Sequence, residues 1–308
     1  MPWKKSRNRN ASTLIMRLSA NVHGELHAMR GELGSAGNAL DFENLQQNTI
    51  ALLCRIERQM RSGRIRPWWE DESPPASTPT NALRLGVFPV SANPFHWAHL
   101  LAGLFSMERY GLDQVRYVIA GGDARKPELA PEEVRHSMAR SVLELYSPLL
   151  VYSPIARGTE FCGEENLFRL LAQHSDLPIH AFYIAGSDHY QRTRPESASP
   201  DTITRLEDGI TRRLYGFDPS RHAVSAVFLQ RGKRCRKVPT WLDVQLVAGL
   251  PIEASSTAIR AALADREHKG PLWTLPFAAL KSIKGNNLYS VARRDFTVAT
   301  KIGSIKDA

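Results

Sequence analysis

No acidic residue occurs before Glu25, only three cysteines are present, and no apolar run comes near membrane-spanning length. Each shortage excludes something. Cys54, Cys162 and Cys235 are far apart, odd in number and without Cys-x-x-Cys spacing, which argues against a disulfide framework and against a structural zinc site. A reducing cytoplasm fits such a chain. About eighteen consecutive apolar residues would be needed to cross a bilayer, so no membrane span is expected. The acid-poor start, with Lys4, Lys5, Arg7 and Arg9, reads as a basic leader to a helical extension in preference to an organellar transit peptide. No repeat period and no low-complexity tract is found.

At 308 residues and 43% hydrophobic content, the chain can bury one large core, with or without an extension. The net charge of +9 suits anionic substrates such as nucleoside triphosphates, and would equally suit nucleic acid. Residues 11–33 and 42–62 carry apolar positions at helical spacing around Gly34-Ser35-Ala36-Gly37, which predicts an αα-hairpin. Gly63 to Thr80, with Trp68-Trp69 and Pro74-Pro75, reads as a linker. This gives a helical extension and linker over 1–80 and a second domain over 81–308. Arg55, Arg58, Arg61, Arg64 and Arg66 form a basic run that reads as a solvated face more readily than as a nucleic-acid contact.

From Leu83 onward, short apolar runs alternate with helical patterns. Strands are expected at 84–90, 115–120, 149–152, 181–185 and 224–230, and helices near 97–110, 131–146, 164–174, 203–214 and 257–264. Strands separated by helices imply right-handed crossovers and a parallel sheet, so the fold class is α/β, a Rossmann-like doubly wound sheet with an N-terminal helical extension. Ligands of such sheets bind at the carboxyl ends of the strands.

The first strand leads into Phe88-Pro-Val-Ser91-Ala-Asn93-Pro-Phe-His96-Trp-Ala-His99, which places two histidines three residues apart at a helix start. Helix starts offer unpaired N–H groups and a positive dipole end, and residues i and i+3 share one face. Helix capping is the plain alternative for such a pair. Ser255-Ser256-Thr257-Ala-Ile-Arg260 opens another expected helix with hydroxyls and a guanidinium, all phosphate donors. Its plain alternatives are a helix cap and a surface salt bridge.

Together the two segments resemble the nucleotidyltransferases with an (H/T)xxH signature, in particular the nicotinate and nicotinamide mononucleotide adenylyltransferases. Members read roughly F-G-G-T-F-D/N-P-x-H-x-G-H and I-S-S-T-x-I-R. Phe88, Ser91, Asn93, Pro94, His96 and His99 match the first motif without a gap, and six of seven positions match the second. The resemblance spans Arg84 to Ala264. It implies that His96, His99 and Arg260 act on the phosphates, and that Phe88, Ser91, Ser255, Ser256 and Thr257 bind the nucleotide. It further implies that Gly186 and Asp188, in a Gly-x-Asp segment ending a strand, meet the ribose, and that Arg125 and Lys126 meet the second substrate. Glu132, Glu133, Arg135 and Met138 match a helix start and are assigned to structure alone. Mg²⁺ is implied as the partner of the triphosphate, with no dedicated protein metal site.

Several positions depart from the family. Pro89-Val90 replace a glycine pair, Ala92 a phenylalanine and Ala98 a glycine. The tryptophan that stacks on the pyridine ring is missing from 189–200, which leaves Tyr190, Trp97 and Trp241 as aromatic candidates. The expected partners are ATP, or CTP, and a phosphorylated small-molecule acceptor. No membrane partner is expected, nucleic acid is not favoured, and a homo-oligomer is left open. The alternatives are a cytidylyltransferase acting on a phosphonate or another phosphorylated small molecule, and a non-catalytic descendant that binds nucleotide or RNA.

Overall fold

A strand buried on both faces needs cover on both, and residues 83–90 are built that way. Leu83, Leu85 and Val87 enter one apolar cluster and Phe88 and Val90 another. This is β1 (Leu83–Val90), at the middle of a parallel sheet with β2 (Gln114–Ile119), β3 (Leu150–Ser153), β4 (Ile179–Gly186), β5 (His222–Leu229) and β6 (Val244–Val247). The order is β3-β2-β1-β4-β5-β6, so the chain reverses its progress between β1 and β4. Such a switch point opens a crevice at the carboxyl edge of the sheet. The structure, a computed structural model, describes residues 2–34, 38–68, 81–123, 126–160, 162–186, 202–229, 244–247, 252, 254–265 and 270–289.

One face of the sheet is covered by α3 (Trp97–Tyr110), α4 (Glu132–Glu144), α8 (Ser256–Ala264) and α9 (Phe277–Gly285), and by the hairpin of α1 (Pro2–Leu33) and α2 (Ala39–Ser62). The other carries α5 (Gly163–Ala172) and α6 (Thr202–Glu207), with the short α7 (Gly209–Leu214) beside them. Leu18, Val22 and Leu53 of the hairpin lie in one cluster with Leu100, Tyr146 and Ile283. The hairpin therefore shares the core of the sheet.

The five expected strands and the helix at 97–110 are found, with ends moved by one or two residues. Three features differ from expectation. The helix expected at 203–214 divides at Asp208, whose carboxylate accepts the N–H groups of Ile210 and Thr211 and so starts a new helix. The strand β6 and the helix α9 were not expected. Within the stretch read as a linker, Gly63 ends α2 in a left-handed cap, after which Ile65 and Trp68 are buried. Of the basic run, Arg58, Arg61 and Arg64 are exposed, as a solvated face requires, and four of the five arginines also find partners within the fold. Arg55 faces Glu108 at 3.5 Å, Arg61 binds Glu57, Arg64 donates to the Arg109 carbonyl, and Arg66 pairs with the buried Asp113 at 3.2 Å.

Candidate active site

The chain leaves β1 at Val90 and re-enters helix at Trp97, with His96 in the N-cap position of α3. The His96 N–H donates to Nδ1 of His99 at 3.2 Å. A nitrogen that accepts an N–H carries no proton of its own, so the His99 imidazole holds its proton on Nε2. Capping and function are therefore compatible here, because the cap uses only one ring nitrogen. The two rings stack with centroids 3.7 Å apart, and both are nearly buried. Phe95 and Phe88 flank His99 at 5.1 and 6.4 Å, and Tyr117 donates its hydroxyl to the His99 carbonyl at 2.8 Å. Burial pushes the Tyr117 phenol well up, which keeps it a donor.

The loop between β2 and α4 meets this segment through one buried guanidinium. Arg135, 1% exposed, donates to the carbonyls of Ser91 (3.0 Å), Ala120 (2.6 Å), Gly121 (2.7 Å) and Ala130 (2.9 Å). These acceptors are neutral, and desolvation lowers the Arg135 pKa while nearby Glu132 raises it. Positive charge is thus fixed under the loops at the carboxyl edge. Lys126 adds more, since its Nζ reaches Ser91 Oγ at 3.0 Å. Gly121 has to be glycine for space, because a Cβ there would lie 2.2 Å from the Thr159 carbonyl.

The second motif docks directly on the first. Ser255 caps α8 by accepting the Ala258 N–H, Ser256 donates to the Pro94 carbonyl at 3.3 Å, and Arg260 donates to the Asn93 carbonyl at 2.7 Å. Arg260 also nears Thr257 Oγ1 at 3.4 Å and Glu128 at 3.9 Å. Asn93, 3% exposed, accepts at Oδ1 from the Ala130 N–H and from the Tyr289 hydroxyl. Lys126, Arg135 and Arg260 against Glu128 and the buried Asp123 leave the described neighbourhood positive, as a polyphosphate would require.

The fold thus gathers Ser91, His96, His99, Lys126, Ser256 and Arg260 at one edge, with Ser255 and Thr257 on the first turn of α8. Phe88 lies in the core behind His99. Gly186 ends β4, beside β1. Arg125, Asp188, Tyr190 and Trp241 lie outside the described residues. One expectation is corrected, because Trp97 is 0% exposed in the core against Tyr146 and cannot stack on a substrate ring. Pro89, which stands where the resembling motif has glycine, fits because α5 begins with Gly163, where a Cβ would lie 2.9 Å from the proline ring and 2.4 Å from the Tyr183 hydroxyl. Ala92 takes a left-handed φ of 50° and is fully buried. Arg135, assigned to structure alone, is the tie among the loops, and Asn93 and Tyr289 join it. A helical pattern predicts that Arg135 faces the sheet, but no local signal connects Tyr289 with Asn93.

A cavity of about 620 Å³ opens between the start of α5 and α6–α7, lined by Cys162, Glu164, Glu165, Arg205, Glu207 and Asp208 among others. It lies on the opposite face of the sheet from the histidines. Among the described residues, no group of three or more His, Cys, Asp or Glu side chains could hold a metal ion. Hydroxyls, imidazoles and cations fit a polyphosphate, and a bare ion poorly.

No family model matches the chain. In sequence it resembles a protein of Clostridium acetobutylicum described as a probable nicotinate-nucleotide adenylyltransferase. The two are 27% identical over 209 residues, covering 66% of this chain and 97% of that one. A Roseobacter denitrificans protein with the same description is 23% identical over 187 residues, covering 58% of this chain and 91% of its own. Among solved structures, Plasmodium falciparum nicotinic acid mononucleotide adenylyltransferase complexed with NaAD aligns over 67% of this chain and 97% of its own, at 14% identity and a TM-score of 0.47.

Proposed function

We propose that this chain is a nucleotidyltransferase that transfers AMP from ATP to nicotinate or nicotinamide mononucleotide and releases pyrophosphate, a step of NAD biosynthesis. The observation that carries this reading is the docking of the second motif on the first, with Arg260 2.7 Å from the Asn93 carbonyl and Ser256 3.3 Å from that of Pro94. It joins the hydroxyls and guanidinium of the second motif to the loop that leads into the histidine pair, which supports a shared phosphate site. The names of the relatives agree with it.

The reaction needs no protein nucleophile. A phosphate oxygen of the acceptor bonds to the α-phosphorus, the bond from that phosphorus to the bridging oxygen of the β-phosphate breaks, and pyrophosphate leaves with the electron pair. The protein contributes position and charge. In this reading His99 offers its Nε2–H to a phosphate oxygen, and His96 lies against it in the stack. Arg260 turns from Asn93 toward the polyphosphate and Lys126 from Ser91 toward the phosphate of the acceptor, and the Ser91, Ser256 and Thr257 hydroxyls complete the cradle. Gly186 and Asp188 are assigned to the ribose, Phe88 and Ser255 to shaping the nucleotide site, and Arg125 to the acceptor phosphate. Mg²⁺ would arrive with the triphosphate and neutralise its charge, held chiefly by phosphate oxygens and water.

No helix among the described residues is long and apolar enough to cross a membrane. The compartment this reading implies is the cytoplasm, where both nucleotides are found. Pyrophosphate release is the test, with ATP and CTP each offered alongside nicotinate mononucleotide, nicotinamide mononucleotide and a phosphonate. Turnover with ATP and a pyridine mononucleotide is expected, and His99→Ala should lower it at least about a hundredfold, the scale of one lost transition-state donor. Turnover with CTP alone would instead support the cytidylyltransferase. Silence with every pair, together with tight RNA binding, would end the enzymatic reading.

A further inference from the structure

Asn93 sits at the centre of the loop between β1 and α3, and both its ends are engaged. Its carbonyl accepts from Arg260 at 2.7 Å. Its side-chain oxygen accepts the Ala130 N–H at 3.0 Å, and because only oxygen can accept there, the orientation of the amide is fixed. The Tyr289 hydroxyl, 2.7 Å from the same oxygen, must therefore be the donor. With Asn93 only 3% exposed, water has little access to replace that donor.

The backbone that delivers Tyr289 is itself unusual. After α9 the Leu288 N–H closes on the Ile283 carbonyl at 3.0 Å, and Asn287 (φ 47°) and Tyr289 (φ 63°) both take left-handed conformations. Asparagine visits that region readily, but a tyrosine persists there only where surrounding contacts over-determine it. At the end of this turn Tyr289 packs against the apolar cluster and its hydroxyl reaches Asn93. Arg135 and Arg260 lie close enough to Tyr289 to oppose the rise that burial gives its phenol.

The N-terminal hairpin anchors α9 in turn. Pro276, in the N-cap position of α9, has no side chain to satisfy the exposed N–H groups there. Glu25 of α1 supplies the acceptor, taking the Ala278 N–H at 3.0 Å. Glu32 binds Lys284 at the far end of the same helix.

We propose that Tyr289 is a positioning residue that holds the Asn93 amide and with it the loop of the first motif, and that the hairpin, through Glu25, holds the helix that places Tyr289. The catalytic consequence rests on the nucleotidyl-transfer reading. The structural one does not.

Both are measured on the full chain as wild type, Tyr289→Phe, Asn93→Ala and the double variant. Amide hydrogen exchange is followed without substrate, and kcat and KM with ATP and the pyridine mononucleotide. Loss of one buried neutral hydrogen bond predicts exchange at Ala130 about three- to tenfold faster in Tyr289→Phe. The same variant should lose kcat by a similar factor, with the acceptor KM within about twofold. In the Asn93→Ala background the phenylalanine should add nothing further. Wild-type exchange at Ala130 in Tyr289→Phe, or effects of the two substitutions that multiply independently, would overturn the assignment. If Asn93→Ala fails to fold, the Ala130 exchange of Tyr289→Phe decides alone. If the wild type releases no pyrophosphate, the proposed reaction falls and the exchange result still judges Tyr289. Glu25→Ala should speed exchange at Ala278 and Ala130 together, and an increase confined to Ala278 would remove the hairpin from the arrangement.

Discussion

Tyr117 is where the histidine pair meets the core. Its hydroxyl fixes the His99 carbonyl, and α3 can approach it only because residue 103 is glycine, since a Cβ there would lie 2.0 Å from that oxygen. Alanine within a helix normally gains up to about 1 kcal/mol over glycine. Overpacking a core costs about 1–3 kcal/mol, so Gly103→Ala should be destabilising on balance. In a Tyr117→Phe background the nearest ring atom is Cζ, at 3.0 Å, and the same alanine should come close to neutral in urea unfolding. An equal cost in both backgrounds would place the resistance elsewhere. At this scale the histidines, serines and Arg260 were legible because each belongs to a short motif whose residues share a helix start. Tyr289 was not legible, because its partner lies 196 residues away and left-handed backbone at a tyrosine has no sequence signature.

Among the elements, the end of α5 carries the clearest pH response. His174 follows that helix, with Trp68 at 5.2 Å and the Arg116 guanidinium 3.3 Å from its Nε2, and burial followed by Arg116 lowers its pKa to about 4. An unfolded histidine takes its proton near pH 6.5. Between those values the unfolded chain binds more protons, so the stability due to neutral His174 is complete above about 6.5 and is lost as the pH falls toward 4. Urea midpoints measured from pH 7 to 4.5 should fall less in His174→Gln than in the wild type. Parallel curves would show that other groups set the acid response. β1 to β5 were legible because each is largely apolar on both faces and bounded by turn residues. Ile65 and Trp68 were read as linker because burial that depends on distant strands leaves no periodicity in six residues. The four-residue β6 is too short to carry a pattern, and the break between α6 and α7 is not legible because the helical spacing runs on through Asp208, whose side-chain cap depends on the local turn.

For the whole molecule, the question is whether the hairpin and the sheet are one cooperative unit. The apolar stripe of α1 and α2 lies in the same cluster as α3, α4, α9 and one face of the sheet. Polar ties run parallel to it, from Asn21 to the Leu145 carbonyl at 2.7 Å, from Gln59 to the Glu108 carbonyl at 2.8 Å and from Glu25 to Ala278 at 3.0 Å. Peeling the hairpin away would expose Leu18, Val22, Leu53 and Ile56 together with the surface they cover, at about 25 cal/mol for each Å² of apolar area returned to water. A hairpin that melted first would have to meet that cost with its own conformational entropy alone. Full-length protein should therefore unfold in urea in one transition, with helix content by far-UV circular dichroism and the packing around Trp97 by near-UV signal changing at the same midpoint. A helical phase lost at lower urea, before the aromatic signal moves, would mean that the hairpin is a separate unit resting on the sheet, and Glu25 could then no longer hold α9 in place for Tyr289.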